Sequence, residues 1–271
     1  MRDLRELSQE EIEGIQRHVL SLRDEGLSYS HIVRKIAEER NVRISKATVL
    51  RWCKGTHNTF NRTKRVNLKP SAPLAYIIGT YLGDATAVEK SNYRYAIRLK
   101  VVDREFAEAF AGALSEIGLS PSLGFERNTG RSNRWYVEAY GKGLFNFLRG
   151  PEDRLFEVAK AYPREFLRGF FDSEGSAIVS NGRARVEACN YDLEVIKLCR
   201  ELLSELGILS RIYRTKHKGQ SVIIHGKQYH YTSDLFTLMI NQKDSVYRYM
   251  REVGFTIRRK QNKLLAHFKL L

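Results

Sequence analysis

The 271-residue chain carries 46 Lys plus Arg against 31 Asp plus Glu, a net charge of +15 that makes a polyanion, nucleic acid first, the expected partner. Hydrophobic residues at 42% and charged residues at 28% exclude wholesale disorder, and no apolar run approaches the ~20 residues of a membrane helix. Three cysteines without a CxxC pair exclude a disulfide scaffold and a cysteine zinc site, and with the charged N-terminal stretch they predict a cytoplasmic protein.

The first predicted helix opens at a capping box, Ser8-x-x-Glu11, and stops near Gly26. A second starts at Ser28, with Ile32, Val33 and Ile36 on one face. A third is capped by Ser45 and closed by Gly55, with Val49, Leu50, Trp52 and Cys53 turned inward. Three short helices with a tight connection before the third make a helix-turn-helix pattern over residues 1–56. Residues 1–45 hold eight basic and nine acidic residues, whereas 46–70 hold seven basic and none acidic. The basic residues therefore crowd onto the third helix, where Lys46, Thr48, Arg51 and Lys54 are the expected DNA contacts. Residues 57–71, polar and basic, read as a linker whose Arg62, Lys64 and Arg65 suit phosphates.

The remainder contains a duplication. Pro73-LAYIIGTYLGDA and Pro163-REFLRGFFDSEG each place proline in the first helical turn, where its missing N–H costs nothing. Proline to acid is 11 residues in both (Asp84, Glu174), and glycine to acid is 5 (Gly79, Gly169). Downstream, Asp103 and Asp192 each open an amphipathic helix that ends at Gly118 and Gly207. Strand-like text flanks those helices, and closing helices fall near GLFNFL and DSVYRYMREVG, so each copy reads as αββαββα.

The apolar surface around the first repeated helix predicts burial, and Gly79 and Gly83 allow a close approach to the helix carrying Gly169. That packing brings Asp84 and Glu174 together at helix C-termini. There the dipole disfavours an anion by roughly 0.3–1 kcal/mol and the two carboxylates repel. A divalent cation reverses both penalties, which makes this pair the expected metal site.

These two motifs, about ninety residues apart, resemble those of single-chain LAGLIDADG homing endonucleases over residues 72–271. The resemblance implies an α+β fold, a pseudo-twofold tandem αββαββα pair with a DNA-binding saddle sheet, here preceded by the small all-α helix-turn-helix domain. It implies repeats at 72–162 and 163–271 and a monomer acting as a pseudodimer on double-stranded DNA. It further implies two or three Mg²⁺ ions between the motif helices, held by Asp84 and Glu174, for hydrolysis of one phosphodiester in each strand. Lys100 and Lys260 match assisting positions best, and Cys189-Asn190 stands where the second copy would repeat Lys100, so the half-sites differ. Arg94, Arg98, Arg134, Arg183, Arg185, Arg211 and Arg214 lie in strand text suited to groove contacts. An intron-encoded or freestanding gene fits a chain starting with a DNA-binding domain, and the six glutamines point to a thermophilic source. A regulator that has lost cleavage, and an intron RNA maturase, are the competing functions.

Overall fold

Ser8 and Glu11 cap each other reciprocally at the start of helix α1 (Gln9–Asp24), with Ser8 Oγ accepting from the Glu11 N–H at 3.2 Å and Glu11 Oε2 from the Ser8 N–H at 2.8 Å. Helix α2 (Tyr29–Arg40) is capped by Ser28 and ends at Asn41, whose φ of 52° turns the chain. Strand β1 (Arg2–Asp3) pairs in parallel with β2 (Val42–Arg43), and α3 (Lys46–Cys53) starts at Ser45, whose Oγ accepts from the Thr48 N–H at 3.1 Å. Ile15, Val19, Leu22, Ile32, Ile36, Val49 and Trp52 form this unit's own core. Cys53 packs against this core while half-buried, and Leu50, also half-buried, is not part of it.

This computed structural model describes residues 1–56, 66–91, 94–127, 132–224 and 226–269. The chain divides into two compact units, Met1–Lys64 and Arg65–Leu271. Val66 and Leu68, inside the segment read as linker, pack against the core of the second unit, and the Asn67 N–H donates to the Ile117 carbonyl at 2.9 Å.

The second unit repeats one arrangement twice. The first copy runs α4 (Ala72–Tyr81), β3 (Thr86–Lys90), β4 (Arg94–Val101), α5 (Arg104–Glu116), β5 (Ser122–Glu126), β6 (Arg134–Tyr140), α6 (Lys142–Leu148) and α7 (Glu152–Ala161). The second runs α8 (Pro163–Glu174), β7 (Gly175–Ser180), β8 (Arg183–Asn190), α9 (Leu193–Glu205), β9 (Arg211–Lys216), β10 (Ser221–Ile224), β11 (Lys227–His230), β12 (Leu235–Ile240), α10 (Lys243–Glu252) and α11 (Arg258–His267). Each copy builds a four-stranded antiparallel sheet, ordered β3-β4-β6-β5 and β7-β8-β12-β9. The pseudo-twofold α+β fold is therefore present, with three differences from the expected αββαββα. Each copy adds a helix at its end, α7 and α11. Strand β10 does not join the four-stranded sheet but pairs with β11 in a separate two-stranded one. Finally, α4 stops at Tyr81, so Asp84 stands in the following turn, while Glu174 is the last residue of α8.

One apolar core runs through both copies, and α4 and α8 cross its centre. Leu74, Ile77, Ile78, Phe166, Phe170 and Phe171 are fully buried there. Strand alternation turns Ile97, Leu99, Val137, Val186, Ala188 and Leu238 onto this core and leaves the other face of each sheet to polar residues.

Candidate active site at the paired helix ends

Glycine sets how closely the two repeated helices meet. A Cβ on Gly79 would stand 2.1 Å from the Phe166 carbonyl oxygen, and one on Gly169 would stand 2.3 Å from that of Tyr76. The approach continues to the helix ends, where a Cβ on Gly83 would meet Ser173 Cβ at 2.4 Å and Glu174 Cγ at 3.2 Å. Asp84 and Glu174, 90 residues apart in sequence, thus become neighbours.

Their electrostatics follow from that placement. Burial pushes the Glu174 carboxyl up to about 7, the Asp84 charge pushes in the same direction, and Lys260 opposes both. Desolvation also raises Asp84, against Lys260 and Arg134. Burial lowers Lys260 to about 8, with Asp172 as the largest opposing charge. This lysine is buried, donating from Nζ to the Asp172 carbonyl at 2.7 Å and the Phe171 carbonyl at 3.3 Å. It therefore satisfies the C-terminal carbonyls of α8 while its charge faces both acids. At the end of α4 the corresponding role falls to Asn190, whose Nδ2 donates to the Leu82 carbonyl at 3.0 Å.

Asp172 is the residue that reading the motif left out. It is 1% exposed, and its carboxylate accepts from Tyr76 Oη at 2.9 Å and from the Thr256 N–H at 2.9 Å. Burial raises its pKa against the hydrogen bonds of Thr256 and Tyr76 and the charge of Lys260. It ties α8 to α4 and to the bend that leads into α11, the helix that carries Lys260. Its only advance signal was an acid one turn before the chain leaves the motif helix; its partners stand 96 and 84 residues away.

Lys100 is brought elsewhere, to an ion pair with Glu126 at 2.6 Å. The cations that act on Asp84 are Lys260 and Arg134. Among the other expected contacts, Arg98 pairs with Glu138 at 2.7 Å, Arg185 with Glu187 at 3.3 Å and Arg214 with Asp234 at 3.2 Å. Arg94 donates to Tyr140 Oη at 2.8 Å, and Arg183 and Arg211 are exposed. In the first unit Lys46, Arg51 and Lys54 are exposed, and Thr48 is half-buried with its hydroxyl 2.9 Å from Ser45 Oγ. Arg62, Lys64 and Arg65 lie outside the described residues.

A tandem αβ repeat whose two central helices abut through glycine and end on a pair of repelling carboxylates defines the class of protein. The LAGLIDADG-like domain family matches residues 71–149 and 161–254, and the chain belongs to it. An uncharacterized protein of Methanocaldococcus jannaschii is 45% identical over 265 residues, spanning 97% of this chain and 96% of the relative. Among solved structures, I-DmoI in complex with DNA and Ca aligns over 72% of this chain and 98% of its own, with a TM-score of 0.50 and 13% identity. Full-length WhiA from Thermatoga maritima covers 76% of this chain and 64% of its own, at 16% identity and a TM-score of 0.46. The likeness to I-DmoI establishes the fold.

Among the described residues, no group of three or more His, Cys, Asp or Glu side chains is placed to hold a metal ion. The Asp84–Glu174 pair offers neighbouring carboxylates at a site where the negative form is disfavoured. Two carboxylates with the remaining positions left to water and phosphate is the donor set Mg²⁺ takes. No helix among the described residues is long and apolar enough to cross a membrane.

Proposed function

We propose that the protein is a sequence-specific, Mg²⁺-dependent endonuclease that makes a double-strand break in DNA. The observation that carries this reading is the Asp84–Glu174 pair, raised in pKa by desolvation and held at the junction of the two copies. Its closeness is set by backbone contacts that only glycine permits. A pair with no role in binding a cation would cost stability for nothing.

In this reading Asp84 and Glu174 hold the divalent ions. Ions held there would supply positive charge to a phosphodiester undergoing hydrolysis. Lys260, at about 8, holds a proton beside both acids near neutral pH, and Arg134 adds a fixed charge on the Asp84 side. Arg94, Arg183 and Arg211 on the outer faces of the sheets meet the duplex. Lys46, Thr48, Arg51 and Lys54 of α3, with Arg62, Lys64 and Arg65, give a second DNA contact from a separate helix-turn-helix domain. The chain acts as a cytoplasmic monomer from an intron-encoded or freestanding gene of a thermophile.

The test is a supercoiled plasmid carrying the DNA that flanks the coding sequence, incubated with the protein with and without Mg²⁺. Linear product only with Mg²⁺, absent in Asp84→Asn and Glu174→Gln, is the expected outcome. Specific retention of that DNA without cleavage would replace the enzyme with a regulator. Retention only of the intron transcript would replace it with a maturase.

A further inference from the structure

On the outer face of the first sheet, three side chains close on one carboxylate. Glu138, on β6, stands directly across from Arg98 on β4. Its Oε2 accepts from Arg98 Nε at 2.9 Å, Arg98 Nη2 at 2.7 Å and Lys90 Nζ at 2.5 Å, and its Oε1 accepts from Tyr140 Oη. Tyr140 Oη in turn accepts from Arg94 Nη2 at 2.8 Å, and the Arg94 guanidinium lies 4.6 Å from the centre of the Tyr140 ring. The Glu138 side chain is 15% exposed.

Two features of this cluster point to a particular ligand chemistry. First, the guanidinium of Arg98 spends one side edge, Nε with Nη2, on Glu138. Its end, Nη1 and the second hydrogen of Nη2, is left for a ligand and is fixed in direction. Second, the carboxylate at the centre of the cluster neutralises the guanidinium it holds, which favours a neutral acceptor edge over a phosphate at the free end of Arg98. Burial would raise Glu138, but the hydrogen bonds from Lys90, Tyr140 and Arg98 prevail and bring it down to about 2, so the charge is permanent at working pH. A neutral edge with two adjacent acceptors satisfies both conditions. Guanine O6 and N7 in the major groove are such an edge, and Arg is its commonest bidentate partner.

The second copy does not repeat the cluster. Thr86 pairs with Arg98 two residues after Asp84, and Ser176 pairs with Glu187 two residues after Glu174, so Glu187 is the counterpart of Arg98. Glu187 faces Met239 where Arg98 faces Glu138. The arrangement belongs to one half alone, as expected for a residue that reads one position of an asymmetric sequence.

We propose that Arg98, held along its side edge by Glu138 so that its end faces outward, is a specificity-determining residue that reads a guanine in the half of the duplex lying on the first sheet. This rests on the DNA-binding reading above. The test is enrichment of duplexes from a random-sequence library by the full-length wild type, Arg98→Lys and Glu138→Gln. Quantitative binding to the enriched sequence and its single-base variants then follows at several salt concentrations, with thermal melts to verify folding.

The wild type is expected to select a sequence containing a G·C pair at which Arg98→Lys loses roughly ten- to a hundredfold discrimination while all other positions are kept. Because lysine keeps the charge, its salt dependence stays that of the wild type. Glu138→Gln, which frees the guanidinium, loses the same position and gains a steeper salt dependence, by roughly 0.9 in log–log slope if Arg98 turns to a phosphate. Unchanged base preference in Arg98→Lys, or equal weakening on every sequence, would overturn the assignment and leave the DNA reading standing. A wild type that enriches no sequence would overturn the DNA reading itself, and Arg98 with it.

Discussion

The glycine contact between α4 and α8 makes a prediction in which two physical effects oppose each other. Gly79→Ala adds one methyl group inside a helix, and helix propensity alone favours alanine by about 1 kcal/mol. The added Cβ would sit 2.1 Å from the Phe166 carbonyl oxygen and 2.8 Å from the Phe170 nitrogen, both backbone atoms that cannot rotate away. Real Cβ contacts essentially never fall below 3.0 Å, so the helices must part by at least 0.9 Å (3.0 − 2.1). A gap approaching 1 Å forfeits a quarter to a half of each dispersion contact it opens. The aromatic layer of Phe166, Phe170 and Phe171, fully buried on this seam, is where the loss falls. Overpacking of this kind costs about 3 kcal/mol at the upper end of its usual range, leaving a net loss of about 2 kcal/mol. For a unit of this size that is a fall in Tm of roughly 4–8 °C. Gly112, on α5 in the same unit, has nothing within 4 Å of its virtual Cβ. Gly112→Ala should therefore raise Tm by roughly 2–4 °C. Circular dichroism melts of the full-length variants decide the matter by sign. The Gly79→Ala, Gly169→Ala pair should cost less than the sum of its parts, because one separation relieves both clashes. If Gly79→Ala melts above the wild type, as Gly112→Ala should, the seam is looser than described and the placement of the acids loses its cause.

Four further outcomes can be measured. Glu174 is raised from 4.5 to about 7, so in metal-free buffer its contribution to stability is full below about 4.5 and lost as pH rises through about 7. Glu174→Gln should then be more stable than the wild type at pH 8 by about 1–2 kcal/mol, after discounting for solvent screening, and equal to it at pH 4 by urea denaturation. Mg²⁺ should raise the Tm of the wild type and leave Glu174→Gln unmoved; a shift in both would place the cation elsewhere. Asp172→Ala strands the Tyr76 hydroxyl and the Thr256 N–H and should cost about 3 kcal/mol by the same measurement. A loss under about 1 kcal/mol would deny its anchoring role. Ser45→Ala removes the acceptor for the Thr48 N–H, and hydrogen exchange should show α3 destabilised by about 1 kcal/mol with α4 and α8 unaffected.

What sequence disclosed, and what it hid, divides along the range of the forces involved. Ser8 with Glu11, Ser28, Ser45, and the two prolines are local signals, and each sits where its spacing required. The glycine-to-acid spacing was legible because both residues fall within five positions, on the motif helix or the turn that ends it. Helix α11 was not: of RRKQNKLLAH only Lys260 and Leu264 are buried, so it has almost no apolar stripe. The bend that leads into it is held instead by the distant carboxylate of Asp172. The partner of Lys100 was hidden for the same reason, since Glu126 reaches it only through strand pairing across β6. Asp103 and Asp192 look alike in sequence, yet Asp192 caps its helix and Asp103 is taken by Arg259 at 2.6 Å.

Three positions past the shared glycine, the first copy has Leu82 and the second has Asp172. Two identical chains around an axis would have to carry either residue twice. A doubled aspartate would bring a second buried charge with no tyrosine left to receive it, and a doubled leucine would cut α11 adrift. Joined in one chain, each half is answerable only for its own packing, and a change at the seam is tried singly rather than in duplicate. The same freedom extends to the outer faces of the sheets. The molecule can drift away from two-fold symmetry without losing its centre, and whatever it grips is released from being a palindrome.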